Sequence, residues 1–525
     1  MIFYCIAVLF GALSVTAYAP LEWWFLMPVC IAVIFQLLQK KTPKQAFWCA
    51  FLFGLGQFGV GASWVYVSLQ TYGNMPVWMA GVAVFLFVAS YALLTGVMGF
   101  VYAKFSQISS AFSYKNIVFF AALWVIAEWS RSILFTGFPW LDIGYSQTTQ
   151  WLSGYAPLGS VYLVSFVCVL VSVLLLIVVR HIFYLLLGEL QASSLEAGSL
   201  KKTLFSACLA FMLISIGAFL QTKQWSQASG KSYQVVIIQG NVDINQKWQQ
   251  ENQSAIINDY VDQIAAYSAD LVILPETALP VSLHQTHHQL WQLLKGNNNA
   301  ILSGIVEQDI VGGNFYNSAN LVCGNEPVKP QPSNASFYQG EQIYRKQHLV
   351  PFGEYLPLRS VLNWLLEYLQ IPMSDFSSGS GVQELKCDGL EIGLSICYED
   401  AFASGMRRSL PKDSQNGILV NISEDAWFGD SLAPHQRVHM AQMRAIELAR
   451  PILRSANSGP STHIGFRGEV LASTKQFQKD SLLVDVQPRE GDTPFMRFGL
   501  WIVLFSFFFA VIVISLQIFR KDIKS

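Results

Sequence analysis

The placement of its apolar runs constrains this 525-residue chain more than any motif does. A bilayer hydrocarbon core about 30 Å thick takes roughly 20 apolar residues in helical form. Windows of that kind lie at about 2–18, 22–39, 45–66, 76–103, 116–136, 157–186 and 203–221, and again at 498–519. Between Thr222 and Arg497 no comparable run occurs, and polar and charged residues gather there. The pattern predicts a membrane α-helical bundle of eight spans plus an extracytoplasmic α/β domain. Its parts are a seven-span bundle over 1–221, a soluble domain over 222–497, an eighth span over 498–519 and a tail at 520–525.

Orientation follows from the basic residues. Lys40, Lys41 and Lys44 follow the second window, and Lys104 and Lys115 bracket the link after the fourth. Arg180, Lys201 and Lys202 flank the link after the sixth, and Arg520, Lys521 and Lys524 follow the last. Lys and Arg collect on the cytoplasmic side, so both termini are expected there and the soluble domain on the far side. Ala17 and Ala19 in "SVTAYAP" resemble a signal-peptidase site, but no Lys or Arg precedes the apolar stretch. A retained first helix is therefore expected. The formal net charge is −1 and the basic residues form no patch that would neutralise phosphates, which excludes a nucleic-acid partner.

Five of the eight cysteines lie in apolar windows, leaving Cys323, Cys387 and Cys397 in the soluble segment. An odd number in an oxidising compartment leaves at least one thiol unpaired. This segment alternates strand and helix signals: "YQVVIIQGNV", "DLVILPE", "AILSGIVE", "LEIGLSIC" and "GILVNIS" are apolar runs bounded by Gly, Pro or Asn. Such runs suit strands buried on both faces of an α/β sandwich of roughly 260 residues. "SQASGKS" (226–232) reads as a hinge, and the Leu- and Trp-rich stretch 354–373 as either a core helix or a lid at the lipid interface.

Three strand exits carry chemistry. "GLEIGLSICYED" ends a strand on Cys397 and runs at once into Tyr398, Glu399 and Asp400, where a following helix N-terminus would lower a thiol's pKa. "LVILPETALP" delivers Glu276, and "YRKQHLVPFGEYLP" delivers Lys346 and Glu354. Each alone has an ordinary reading: a buried thiol, a capping acid, a surface lysine. Together they form a base, a nucleophile and a cation able to hold a developing oxyanion. His435 and His439 stand four apart on an expected helix, but no Glu completes an H-E-x-x-H pattern, and neither a metal nor another cofactor is expected. Glu128 and Arg131, charges inside an apolar run, read either as a functional pair or as a structural one. The loop 137–151 offers Trp140, Tyr145 and Trp151 for head-group level.

Glu, Lys and Cys in this order, each at a strand exit, resemble the triad of the nitrilase superfamily. With the flanking spans, the chain resembles the bacterial apolipoprotein N-acyltransferase family. The motifs are "GNVDINQKW", "LPETALP", "KQHLVPFGEYLP", "SICYED", "NISEDAWFG", "RAIELARPILRSANSG" and "TPFMRFG". The resemblance implies a nitrilase-like α-β-β-α sandwich, with Glu276 as base, Lys346 as oxyanion cation and Cys397 as nucleophile. It gives supporting roles to Trp248, Glu354, Tyr398 and Glu399, although the two aromatics also suit a core and the two acids ion pairs. It implies acyl transfer from a glycerophospholipid to the N-terminal amine of a diacylated apolipoprotein, by a monomer in the inner membrane of a bacterium. A hydrolase passing the acyl group to water would use the same triad, and a transporter with a degenerate domain is the reading from another class. Glu424 in "SEDAWFG" stands where the family usually has Asn. If it touches the pocket, its charge would disfavour a thiolate or reshape head-group preference.

Overall fold

The two kinds of sequence pattern form two compact units. One comprises Met1–Tyr66, Trp78–Lys223 and Arg497–Ser525; the other comprises Val67–Val77 and Gln224–Met496. The structure is a computed structural model and describes residues 1–106, 112–186, 197–286, 288–309, 312–324, 341–355, 375–381, 383–411 and 413–522.

The first unit is helical. Val77–Ser106, Trp151–Leu186, Leu200–Thr222 and Trp501–Phe519 are long and apolar enough to cross a membrane, and the bent pair Pro43–Gly61 and Val65–Tyr72 qualifies if counted as one span. Other expected windows form shorter helices, Ile2–Ser14, Leu26–Leu38 and Tyr114–Arg131. At 1.5 Å per residue, the two 13-residue helices reach only about 20 Å. Outward faces are apolar: Phe211, Phe219 and Phe508 are 73%, 68% and 69% exposed. Surfaces of this kind are unstable in water and suit lipid.

Small residues bring these helices together, as they do where lipid supplies no hydrophobic drive between helices. A Cβ on Gly11 would lie 2.0 Å from the Phe53 carbonyl oxygen, and one on Gly56 would lie 2.2 Å from that of Val8. Helices Ile2–Ser14 and Pro43–Gly61 therefore meet backbone to backbone.

The charges inside the apolar run meet one another and Asp142. Arg131 Nη2 lies 2.7 Å from Asp142 and 3.9 Å from Glu128. Glu128 Oε1 accepts from the Trp124 indole at 3.0 Å and the Ile143 amide at 2.8 Å. The expectation that the loop aromatics sit at the surface is corrected for Trp140 and Tyr145, which are buried, whereas Trp151 is 57% exposed. Burial of Asp142 beside Arg131 draws that loop inward.

The second unit is a two-sheet sandwich. Its strands are β1 (Gln227–Ala228), β2 (Tyr233–Gln239), β3 (Leu271–Ile273), β4 (Ala300–Gln308), β5 (Phe315–Cys323), β6 (Glu341–Arg345), β7 (Leu385–Cys387), β8 (Leu390–Ile396), β9 (Gly417–Ser423), β10 (Ile452–Ala456), β11 (Thr462–Ile464), β12 (Val470–Ser473), β13 (Asp480–Val486) and β14 (Arg489–Glu490). One sheet runs β13-β2-β3-β4-β5-β6; the other runs β1-β14-β9-β10-β11-β12, with β8 also on β9 and β7 on β8. β2, β3 and β4 are parallel, as are β8, β9 and β10.

Alternation along β2 explains the layering. Val235 and Ile237 join Ile392, Leu394, Ile418 and Val420 between the sheets. Val236 and Ile238 face the other way and meet Tyr260, Ile264, Trp291 and Leu294 from helices Gln250–Ala265 and His288–Lys295. On the outside of the second sheet, helix Leu432–Leu448 packs over β10 and β11. The expected hinge at 226–232 is corrected: it contains β1, which pairs with β14. Cys323 and Cys387 form a disulfide between the sheets and leave Cys397 free. Of the stretch expected as a lid or core helix, 356–373 lies outside the described residues.

Gly11→Ala should lower the melting temperature of the detergent-solubilised protein, because the added methyl meets main chain and overpacking costs about 1–3 kcal/mol. An unchanged melt would show that the two helices do not approach so closely.

Candidate active site

Strand exits supply the site, as the carboxyl ends of parallel strands do in α/β sheets. Glu276 follows β3 by three residues. Its backbone rests on Gly304 of β4, where a Cβ would come within 2.4 Å of the Thr277 nitrogen and 2.5 Å of the Pro275 oxygen. Only glycine permits that approach. Glu276 Oε1 accepts from the Asn317 side-chain amide at 2.7 Å and from Lys346 Nζ at 3.2 Å, and Oε2 accepts from the Glu424 backbone N–H at 2.8 Å.

Lys346 is the first residue past β6, and its N–H donates to the Asn317 carbonyl of β5 at 2.8 Å. Its buried ammonium also donates to Glu354 Oε1 at 2.9 Å. The Asn317 amide bridges the same two acids, donating to Glu354 Oε1 at 2.7 Å. The other Glu354 oxygen accepts from the Val350 amide at 2.9 Å. Burial alone would raise the Glu276 carboxyl and lower the Lys346 ammonium. Their mutual attraction, with Asn317 and the Glu424 amide on the acid and Glu354 on the base, reverses both effects. Glu276 is thus held ionised below its ordinary range, and Lys346 is held protonated.

Cys397 directly follows β8 with a backbone φ of +51°, a left-handed conformation costly for a residue with a Cβ. Its carbonyl is pinned there by Arg437 Nη2 at 2.7 Å and Asn421 Nδ2 at 3.1 Å. Its Sγ accepts from Arg437 Nη1 at 3.3 Å. Burial pushes the thiol up to about 11, and the Glu276 charge adds to this, while Arg437 and Lys346 pull the other way. The expectation of a thiol lowered by a helix N-terminus is therefore corrected. A five-residue 3-10 turn, Cys397–Ala401, follows the strand, and the next helix, Ala403–Arg408, has six residues. Neither carries a dipole large enough to offset burial.

The supporting residues divide. Glu399 fills both its oxygens: Oε1 accepts from the Gln347 and His348 amides, and Oε2 from the Ile396 amide and the Tyr344 hydroxyl. It splints the segment after Lys346 to the strand end before Cys397. Tyr398 is buried beside Phe402, ring centroids 5.2 Å apart. Trp248 is 49% exposed. Its neighbour Lys247 is buried, donating to the Glu276 carbonyl at 3.4 Å, Thr277 Oγ1 at 3.1 Å and Glu424 Oε2 at 3.1 Å. His435 and His439 both lie on helix Leu432–Leu448, where burial keeps His439 neutral, its pKa lowered to about 4.

Asn317, Arg437 and Lys247 are not singled out by the sequence, and Asp400 is noted only as part of the acidic exit after Cys397. Arg437 carries a signal: with Arg444 it falls on the helical face of Ala433, Met440, Ala441 and Leu448, and arginines among apolar residues must find partners. Asp400 is its partner, with both oxygens 2.9 Å from Nη2.

Residues 10–174 match the family described as the apolipoprotein N-acyltransferase N-terminal domain, and 234–494 match the carbon-nitrogen hydrolase family. A Methylococcus capsulatus protein named apolipoprotein N-acyltransferase is 35% identical over 497 residues, 94% of this chain and 91% of its own. One of the same name from Nitrosomonas europaea is 35% identical over 500 residues, 93% of this chain and 92% of its own. Among solved structures, Saccharomyces cerevisiae Nit3, a member of branch 10 of the nitrilase superfamily, matches with a TM-score of 0.35 at 16% identity, covering 50% of this chain and 93% of that one.

Asn317→Leu removes the amide shared by Glu276 and Glu354. Hydrogen bonds to charged groups contribute about 1.5–3 kcal/mol, so turnover at neutral pH should fall roughly 10- to 150-fold. The acid limb of the pH profile should move up, because Glu276 loses a group that favours its ionised form. A profile of unchanged shape would deny the amide that role.

Proposed function

Since the chain belongs to the apolipoprotein N-acyltransferase family, we propose that it completes lipoprotein maturation by a two-step covalent transfer. The acyl chain passes from a glycerophospholipid to Cys397, and from there to the α-amino group of a diacylated N-terminal cysteine. The observation that carries this reading is the buried contact of Glu276 with Lys346, both within electrostatic reach of a free thiol.

Glu276 takes the thiol proton as the sulfur attacks the ester carbonyl. The oxyanion is held by Lys346 and a backbone N–H near Tyr398. The ester C–O bond breaks, the leaving alkoxide receives the proton from Glu276, and lysophospholipid departs. The lipoprotein amine then attacks the thioester, gives a proton to Glu276 and expels the sulfur. The resting protonation states support these roles: the base is ionised, the nucleophile still carries its proton and the cation is charged.

Both substrates are bilayer-anchored, and drawing an acyl chain into water costs about 0.8 kcal/mol per CH₂. This accounts for a catalytic unit joined to helices of span length. We place the enzyme as a monomer in the inner membrane of a bacterium, with eight spans, both termini cytoplasmic and the catalytic domain periplasmic. It needs no metal or other cofactor. Trp248 and Tyr398 serve as substrate-side aromatics, and Glu354 and Glu399 hold the lysine and its loop.

Labelled phospholipid alone should leave an acyl group on Cys397 that is detectable by peptide mass, and adding a diacylated lipopeptide should discharge it to the peptide amine. Free fatty acid without acylated peptide would instead make the protein a hydrolase. Lys346→Met should slow thioester formation about 10²- to 10³-fold, the scale of a lost oxyanion donor. The sign of the pH dependence follows from Glu276, which acts only when ionised and is held below the ordinary carboxylate pKa of about 4.3. Thioester formation should therefore stay level through neutrality and fall only in acid. A midpoint near pH 7 would remove Glu276 from the role of base.

A further inference from the structure

We propose that Arg437 is a further catalytic residue of this site, whose guanidinium carries the negative charge on the Cys397 sulfur as the thioester forms and again as it breaks. The inference rests on the acyl-transfer reading above and names the group that attends the sulfur rather than the carbonyl oxygen.

Geometry singles out Arg437. Its side chain is fully buried on helix Leu432–Leu448. Nη2 is occupied by Asp400, at 2.9 Å to both oxygens, and by the Cys397 carbonyl at 2.7 Å. Nη1 donates to Ser423 Oγ at 3.2 Å and to Cys397 Sγ at 3.3 Å. Asp400, the Cys397 carbonyl and Ser423 thus hold the guanidinium, Asp425 Oδ1 lies 3.6 Å from Nη1, and Nη1 also donates to sulfur. A planar fork anchored on one edge suits this task, because little freedom is lost when the sulfur becomes charged. Lys346 is less free to serve it, since it already spans Glu276 and Glu354.

The groups that set the charge around the sulfur are Glu276 beyond β3, Lys346 beyond β6, Asp425 beyond β9 and Arg437. Asp425 is itself paired with Arg454 at 2.5 Å. In the first step the S–H proton goes to Glu276 while the S–C bond forms, so charge passes through sulfur. In the second, the amine nitrogen bonds to the carbonyl carbon, its proton goes to Glu276, and the C–S pair returns to sulfur as a thiolate. Arg437 donates to the sulfur at both moments. Because Arg437 favours the thiolate, removing it should raise the pH at which that thiolate appears.

The test uses the full-length, detergent-solubilised protein and reads alkylation of Cys397 by iodoacetamide across pH, with peptide mapping to separate it from the other free cysteines. Arg437→Gln and Arg437→Met should each move the alkylation midpoint up by about one unit or more, slowing alkylation at pH 8 by about tenfold or more. Thioester formation from phospholipid should slow in parallel. The double variant Asp400→Asn/Arg437→Met removes the Asp400 charge as well, leaves Asp425 paired with Arg454 and should show the same shift, which separates the effect on sulfur from a stranded aspartate. Any of the three that melts like wild type but keeps the wild-type midpoint overturns the proposal. If none of the three folds, Arg437 belongs to the fold and the proposal is overturned too. Wild-type protein that alkylates at Cys397 yet forms no thioester with phospholipid would instead sink the acyl-transfer reading.

Discussion

A protonated lysine buried between two carboxylates is the interaction around which the rest of the second unit is arranged. Removing three ions from water costs several kcal/mol for each, and attraction compensates only when their remaining hydrogen-bonding capacity is met. Asn317 serves both acids, the Glu424 amide takes the second oxygen of Glu276, and the Val350 amide takes that of Glu354. These donors come from β5, from the end of β9 and from the segment after β6. The ion cluster is therefore satisfied only if both sheets are complete and in register. A slip of one residue in β5 would turn Asn317 to the opposite face. Stability of the sandwich and readiness of the site are one constraint.

The same logic answers the concern raised by Glu424. Its carboxylate is turned toward Lys247 at 3.1 Å and Asn457 at 2.9 Å, while its backbone N–H serves Glu276. The extra charge relative to the family's usual Asn is matched by a buried ammonium that also holds the Glu276 carbonyl. Main chain and side chain of this residue face different partners, so its carboxylate adds an ion pair with Lys247 behind Glu276.

What could be read in advance follows the range of the interactions. Apolar runs ending on Glu276, Lys346 and Cys397 are local patterns, and β9 falls on the expected run "GILVNIS". Partners drawn from distant segments left weaker traces. Arg437 is 40 residues beyond Cys397, and Asn317 is 41 beyond Glu276, so no spacing rule links them. Short strands such as β1 and β14 escaped because two residues carry no periodicity. The buried Trp140 and Tyr145 escaped because an aromatic in a polar loop reads as interfacial until Asp142 is known to pair with Arg131.

The raised thiol resolves an apparent conflict between the two kinds of cysteine in this unit. Cys323 and Cys387 are joined, so the unit forms disulfides, yet Cys397 is free, and the proposed mechanism needs it reduced. Oxidation and exchange proceed through the thiolate. With the pKa at about 11, the thiolate fraction near pH 7 is about one in ten thousand. Burial and the Glu276 charge thus protect the resting sulfur by keeping it protonated. In the proposed mechanism, what they withhold at rest is supplied during reaction, by a base that accepts the proton as the bond to carbon forms and by cations already in place around the charge. A preformed thiolate would need neither, but it would be exposed to every oxidant that reached the pocket. On that mechanism, the arrangement of Glu276, Lys346 and Arg437 follows from placing an unpaired nucleophilic thiol in a disulfide-forming unit.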